Sequence, residues 1–274
     1  DYHKTMKNYL NAKLMLLKKL LKKNDYIITD RTIPELKKIK KIVKNNKLKK
    51  IYIDYSKKEY DLDKFKLIGN FQKKNLIMAI KACEVLGLNK KKISKCIGKL
   101  KSVKGRLELV KEFPNKTKVF IDFAHTPDAI HSAISSLKTH YKKDITVVFG
   151  CGGERDKSKR KKMGKIVNSL CNKIIVTDDN PRREKPKFIR KEIIKYIKKE
   201  KVIEIGDRIL AIHSAIEKSN PKEIILIAGK GHEDIQDYGK KKYKISDLKI
   251  VKNYKIKKIK SKKEINYQHN NFLI

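Results

Sequence analysis

The segment Ile145 to Arg183 constrains this chain more than any other. It reads as an apolar strand (Ile145 to Phe149), a loop carrying Gly150, Gly152 and Gly153, a charged helix, a second apolar strand (Ile174 to Thr177) and a polar loop, Asp178 to Arg183. Short continuous apolar runs separated by helical stretches are the pattern of strands buried on both faces. The same alternation places strands near Lys118 to Asp122, Thr146 to Gly150, Lys173 to Thr177, Val202 to Ile205 and Glu223 to Ala228. Repeated β-α units predict a mostly parallel α/β sheet covered by helices. In such a sheet ligands bind beyond the carboxyl ends of the strands, where loop residues are free of packing duty.

Four strand ends lead into loops rich in chemistry: Asp122-Phe123-Ala124-His125-Thr126-Pro127-Asp128, Gly152-Gly153-Glu154-Arg155-Asp156, Asp178-Asp179-Asn180-Pro181-Arg182-Arg183 and Gly229-Lys230-Gly231-His232-Glu233. In a parallel sheet all four would converge on one edge. Singly, each has a plain reading: Thr126-Pro127-Asp128 is a helix start, Asp-Asn-Pro is turn chemistry, and a lone histidine is usually structural. Together they predict a crevice for an anionic or zwitterionic ligand, because guanidinium groups bind carboxylates and phosphates through paired hydrogen bonds. No G-x-x-x-x-G-K-[ST] phosphate loop occurs, and Gly229-Lys230-Gly231 is too short to be one.

The remaining chain is simpler. Met6, Leu10, Leu14, Leu17 and Leu21 form one helical face, with Lys13 beside it. A strand (Tyr26 to Thr29), a helix capped at Thr32 with Pro34 in its first turn, and a strand (Lys50 to Asp54) follow. This small β-α-β piece, with no strand before its first helix, reads as the remainder of a larger domain. Ser56 to Phe65 reads as a polar linker. Gln72 to Leu86, with Leu76, Ala79, Ile80 and Cys83 inward, and Lys90 to Leu100, capped by Asn89, are the next helices. Tyr254 to Ile274 has no periodic pattern and is expected to be a loosely held basic tail.

The net charge of +41 raises a competing reading, a basic module for nucleic acid or another polyanion. Only eight of the 71 basic residues are Arg, however, and the lysines are spread through nearly every helix instead of forming one stripe. Aromatics are not interleaved with them as a stacking platform requires. No nucleic-acid partner is therefore expected. Cys83, Cys96, Cys151 and Cys171 form no C-x-x-C pair and read as reduced thiols of a cytoplasmic protein. No apolar run approaches a membrane span.

The loops, in their order, resemble the C-terminal half of Mur ligases of the tripeptide-forming (MurE) type. The likeness starts at Asp1-Tyr2-His3-Lys4-Thr5-Met6, Tyr9 and Asn11-Ala12-Lys13. It continues through Gly69-Asn70-Phe71-Gln72-Lys73-Lys74-Asn75 and Val103-Lys104-Gly105-Arg106-Leu107-Glu108 to Asp207-Arg208 and Ala211-Ile212, covering roughly residues 1–250. Phe123 stands where the family usually has Tyr, and Gln72 where it often has Asn. The resemblance implies a Rossmann-like C-terminal domain over residues 67–253, preceded at 1–66 by the end of a central α/β ATP-binding domain, with 254–274 as the tail. It implies ATP and Mg2+ as cofactors, and meso-diaminopimelate and a UDP-linked muramoyl dipeptide as substrates, joined through an acyl phosphate. Lys13 would hold the metal through a carbamate. Asn75, Arg106, Asp122 and His125 would contact the nucleotide, and Arg155, Asp179, Asn180, Arg182, Gly229 and Glu233 the amino acid. The family's front part, which carries the phosphate loop, is not among these residues, whether by truncation or because it forms a separate chain, and the chain is expected to be inactive alone.

Overall fold

The computed structural model describes residues 3, 5–57, 59–62 and 64–255. The proposed tail from 254 onward therefore lies almost wholly outside the described residues. Helix α1 (Met6–Met15) runs into a π-helical turn (Leu16–Leu20) and is followed by β1 (Tyr26–Asp30), α2 (Leu36–Asn45) and β2 (Lys49–Ile53). Strands β1 and β2 pair in parallel as a sheet of two. Leu14, Ile27, Ile39, Ile42, Val43 and Leu48 form its core, with Leu10, Leu17 and Leu21 against them. Of the expected stripe on α1, Met6 does not take part and is 78% exposed. Thr32 does not cap α2 either. The Asp30 carboxylate accepts both the Thr32 backbone N–H and its hydroxyl, at 2.7 Å each, closing a turn that delays the helix to Leu36.

Helices α3 (Asn70–Val85) and α4 (Lys90–Ile97) come next, the latter capped by Asn89, whose Oδ1 accepts the Lys91 N–H at 2.8 Å. The expected linker is more than a tether. Its Tyr60, Leu62 and Phe65 pack on Leu76, Ile80 and Ile97 as a small satellite core. Lys74 on α3 reaches back to Asp30 at 3.6 Å, while Phe71, one turn earlier, packs into the main core.

The C-terminal body contains β3 (Glu108–Glu112), β4 (Lys118–Asp122), α5 (Pro127–Tyr141), β5 (Ile145–Phe149), α6 (Ser158–Leu170), β6 (Lys173–Val176), α7 (Pro186–Ile194), β7 (Val202–Glu204), α8 (Arg208–Glu217), β8 (Ile224–Ala228), the hairpin β9 (Ile235–Asp237) and β10 (Lys242–Lys244), and α9 (Asp247–Asn253). Its sheet has the order β3-β4-β8-β5-β6-β7, with all neighbours parallel except β3 on β4. Alternate strand residues feed two cores, as the two-residue strand period demands. Val147, Phe149, Leu226 and Ile174 meet α5, α6 and α7 on one face, and Val148, Ile225, Ile227 and Ile175 meet α8 and α9 on the other. The last strand, β8, inserts between β4 and β5. The carboxyl ends of β4, β8, β5 and β6 therefore lie side by side, and the four polar loops emerge next to one another.

Candidate functional site

A cavity of about 430 Å3 opens at that edge, lined by residues of all four loops. Of the eleven residues proposed from the sequence, seven line it: His125, Arg155, Asp179, Asn180, Arg182, Gly229 and Glu233. Cys151, Asp156 and Lys159 complete much of the wall. A larger space at the amino ends of β5, β6 and β8 is lined by five lysines among other residues and by none of the proposed ones.

The floor is acidic. Asp179, 9% exposed, has a buried Oδ2 with no hydrogen-bond partner. Such an orphan is costly unless a ligand donor completes it. Gly229 sits against it at φ 115°, and a Cβ there would fall 2.5 Å from that same oxygen. Only glycine leaves this oxygen room. Asn180 Nδ2 donates to Glu233 Oε2 at 3.2 Å, and Lys230, with no exposed surface, donates to Asn180 Oδ1 at 3.4 Å and to the Ile235 carbonyl. Burial pushes the Lys230 ammonium below its ordinary range, although Asp179 and Glu233 nearby oppose the shift.

The basic side is built on two loops pressed together. A Cβ at Gly153 would come 1.9 Å from the Pro181 carbonyl oxygen, so the loops after β5 and β6 meet backbone to backbone. Arg182, itself at φ 53°, donates from Nη1 to the Gly153 carbonyl at 2.7 Å. It makes no ion pair with Glu184, which instead takes the buried Arg160 in a two-oxygen grip at 3.0 Å each and accepts the Glu154 N–H at 2.6 Å. Asp156 is spent at the start of α6, accepting the Ser158 N–H at 2.9 Å; hydrogen bonding to Ser158, through its side chain first and then its backbone, holds the carboxyl below the usual range.

Four proposed residues lie outside the cavity. The Asp122 carboxylate is turned inward and accepts the Leu107 N–H at 2.6 Å; burial raises its pKa against the lowering effect of the Leu107 and Ala124 N–H groups. It thus fixes the turn that carries Arg106. The Arg106 guanidinium lies 4.6 Å from the centre of the Phe123 ring, whose other contacts are His125 at 4.6 Å and His232 at 5.6 Å. Asn75 is exposed on α3. Lys13 is exposed on α1 with Nζ 5.4 Å from the Tyr9 ring centre.

Sequence reasoning gave no role to Lys230 or Arg208. Arg208, fully buried, pairs with Asp247 through two bonds of 2.7 Å and donates to the carbonyls of Asp178 at 3.3 Å and Ala228 at 3.2 Å. It thereby ties together the ends of β6 and β8. A basic residue at a helix start carries no such signal in sequence. No helix among the described residues is long and apolar enough to cross a membrane.

A family model described as Mur ligase, glutamate ligase domain, matches residues 105–231. The UDP-N-acetylmuramoyl-L-alanyl-D-glutamate--2,6-diaminopimelate ligase of Rickettsia bellii (strain RML369-C) is 40% identical over 275 residues, covering 92% of this chain and 57% of the relative. The protein of that name in Buchnera aphidicola subsp. Schizaphis graminum (strain Sg) is 38% identical over 282 residues, covering 92% and 56%. A solved structure of a ligase of the same name is 28% identical with a TM-score of 0.55, over 98% of this chain and 58% of that one. The chain thus spans a little over half the length of the curated relatives it matches.

Proposed function

The chain belongs to the Mur ligase family, and from that premise we propose that its cavity is the amino-acid pocket of an ATP-dependent ligase that adds meso-diaminopimelate to a UDP-linked muramoyl dipeptide. What supports this reading most is the pairing, in one cavity, of a buried unpartnered carboxylate oxygen on Asp179 with the guanidinium groups of Arg155 and Arg182. Diaminopimelate carries an ammonium and a carboxylate at each end. Asp179 Oδ2 and Glu233 suit an ammonium, and the arginines a carboxylate. Lysine lacks the second carboxylate and would leave an arginine unmatched, a mismatch that discriminates strongly in a partly desolvated site.

In the proposed reaction the free carboxylate of the dipeptide takes the terminal phosphoryl group of ATP, and ADP leaves. The diaminopimelate nitrogen attacks the acyl carbon, phosphate departs, and the amide forms with loss of a proton. The part of this chain in that sequence is to hold the amine in line, where positioning supplies much of the rate. Arg106, whose guanidinium lies 4.6 Å from the ring of the cavity-lining Phe123, would offset phosphate charge. ATP and UDP-linked substrates put the reaction in the cytoplasm.

For magnesium the residues at hand do not suffice. No group of three His, Cys, Asp or Glu side chains that could hold a metal occurs among the described residues. Lys13 is exposed, with its Nζ 5.4 Å from the Tyr9 ring centre. Its carbamate role rests on the resemblance alone, and no step is derived through the metal.

Isothermal titration of the 274-residue chain with meso-diaminopimelate and with lysine tests the pocket. Saturable binding of diaminopimelate and clearly weaker binding of lysine are expected. Arg182→Ala should cost about 2–4 kcal/mol of diaminopimelate affinity, as when one partner of a buried charge pair is removed, and should narrow the gap to lysine. Equal affinity of the unmutated chain for both amino acids would refute the assignment.

A further inference from the structure

Behind the residues that line the cavity lies a buried cation, Lys230. Lys230 has no exposed surface, and its Nζ donates to the Ile235 carbonyl and, at 3.4 Å, to Asn180 Oδ1, with Glu233 Oε2 3.7 Å away. A second donor, the Asp237 backbone N–H, meets the same Asn180 oxygen at 3.0 Å. An amide oxygen facing two donors cannot exchange places with its NH2 group without setting donors against donors. The amide is therefore held one way round, with Nδ2 directed to Glu233 Oε2 at 3.2 Å. Asn180 and Glu233 both line the cavity, whereas Lys230 does not.

Burying an ammonium is costly unless hydrogen bonds and opposite charge offset it. Here the offset comes from the two loops the cation joins, those after β6 and β8. We infer that Lys230 is the positioning residue that sets the polarity of the Asn180 amide, so that the cavity offers a ligand an N–H donor beside an acidic acceptor. The inference rests on the reading of the cavity as a diaminopimelate pocket and adds what orients its wall. Without Lys230 the Asn180 oxygen would keep only the Asp237 N–H at 3.0 Å, so turning that oxygen towards Glu233 and a ligand carboxylate, which repels both, would be opposed by one donor instead of two.

The test is a double-mutant cycle on the whole chain, read by titration with meso-diaminopimelate. Lys230→Met and Asn180→Ala should each weaken binding by about tenfold or more, the effect expected for losing a hydrogen bond to a charged group. The double variant should match Asn180→Ala within about twofold, because the lysine acts through the amide. Wild-type affinity in Lys230→Met, or losses that multiply in the double variant, would overturn the inference. Asn180→Asp, which leaves Lys230 in place, should bind as poorly as Asn180→Ala; wild-type binding there would show that polarity is irrelevant. A readout without ligand separates this inference from the functional reading. The Asn180 side-chain NH2 should give one slowly exchanging pair of nitrogen-correlated proton signals in the wild type. In folded Lys230→Met that pair should broaden or shift, and an unchanged pair would count against the inference even if the wild type binds no diaminopimelate, a failure that would refute the pocket reading instead.

Discussion

Two regions of this molecule are built on parallel strands, and they meet the demands of that geometry in opposite ways. In the C-terminal body, β5 and β8 are buried at every position, and helices cover both faces. In the N-terminal piece, the pair β1 and β2 has one buried residue in each strand, and Tyr26 is 44% exposed. Tyr9, Leu16 and Leu20 on the adjoining helical segment are likewise open. Parallel sheets are stable when both faces are covered, since they otherwise expose a near-continuous apolar surface. The same strand type thus yields a rigid platform in one place and a thinly covered ledge in the other. The lesson concerns the site: every residue lining the cavity sits on a loop or helix start that leaves the covered sheet.

The largest expected consequence is in local opening. Amides of β5 and β8 should exchange with solvent about 10^4-fold more slowly than those of β1 and β2, a gap of ~5 kcal/mol set by local against global opening. Matching protection in both regions, measured by hydrogen exchange at residue resolution, would erase the distinction. Next in size is a pair of arginine truncations. Arg208→Ala leaves Asp247 buried and unpaired and should cost about 3–5 kcal/mol in urea unfolding. Arg31→Ala, which breaks the 2.8 Å contact with Asp54 where Arg31 is 61% exposed, should cost less than about 1 kcal/mol. Comparable losses would mean that the N-terminal piece is better covered than its exposure indicates.

The smallest effect concerns pH. Burial holds the Lys230 ammonium below its ordinary 10.5 in the folded state, so between the lowered value and 10.5 the unfolded chain binds more protons than the folded one. Stability contributed by this group must then rise with pH through that window and level off above 10.5. The stability difference between wild type and Lys230→Met should therefore grow from neutral pH towards pH 10. A constant difference would place the ammonium in a wetter setting than the fold gives it.

Much of this was legible in the sequence for a physical reason. Apolar runs such as Ile145 to Phe149 and Glu223 to Ala228, alternating with helical stretches, read as strands buried on both faces, and the loops after them then share an edge. Asn89 and Thr126 announced their helices because a side-chain oxygen before an apolar period is a cap. Strand β3 was missed because Glu108-Leu109-Val110-Lys111-Glu112, with charged residues at both ends, packs chiefly through Val110 and gains its place by pairing with β4. The three-residue strands β9 and β10 are too short to show a period. Within the site, residue types pointed to the cavity but not to direction: Asp122 sits at the right strand end and turns the other way. Lys230 was invisible among so many lysines, because burial is a property of where the chain returns and not of the residue.

The contact between Gly153 and the Pro181 carbonyl reaches beyond packing. Two loops that touch through their main chains cannot be lengthened, shortened or recoloured independently, since one inserted residue in either would lift the other off its support. Anyone seeking to retarget the cavity to another amino acid would have to transplant the segments after β5 and β6 as a single cassette. Libraries that vary one loop at a time should then yield mostly collapsed pockets, and changes of specificity should come as linked pairs of substitutions across the seam.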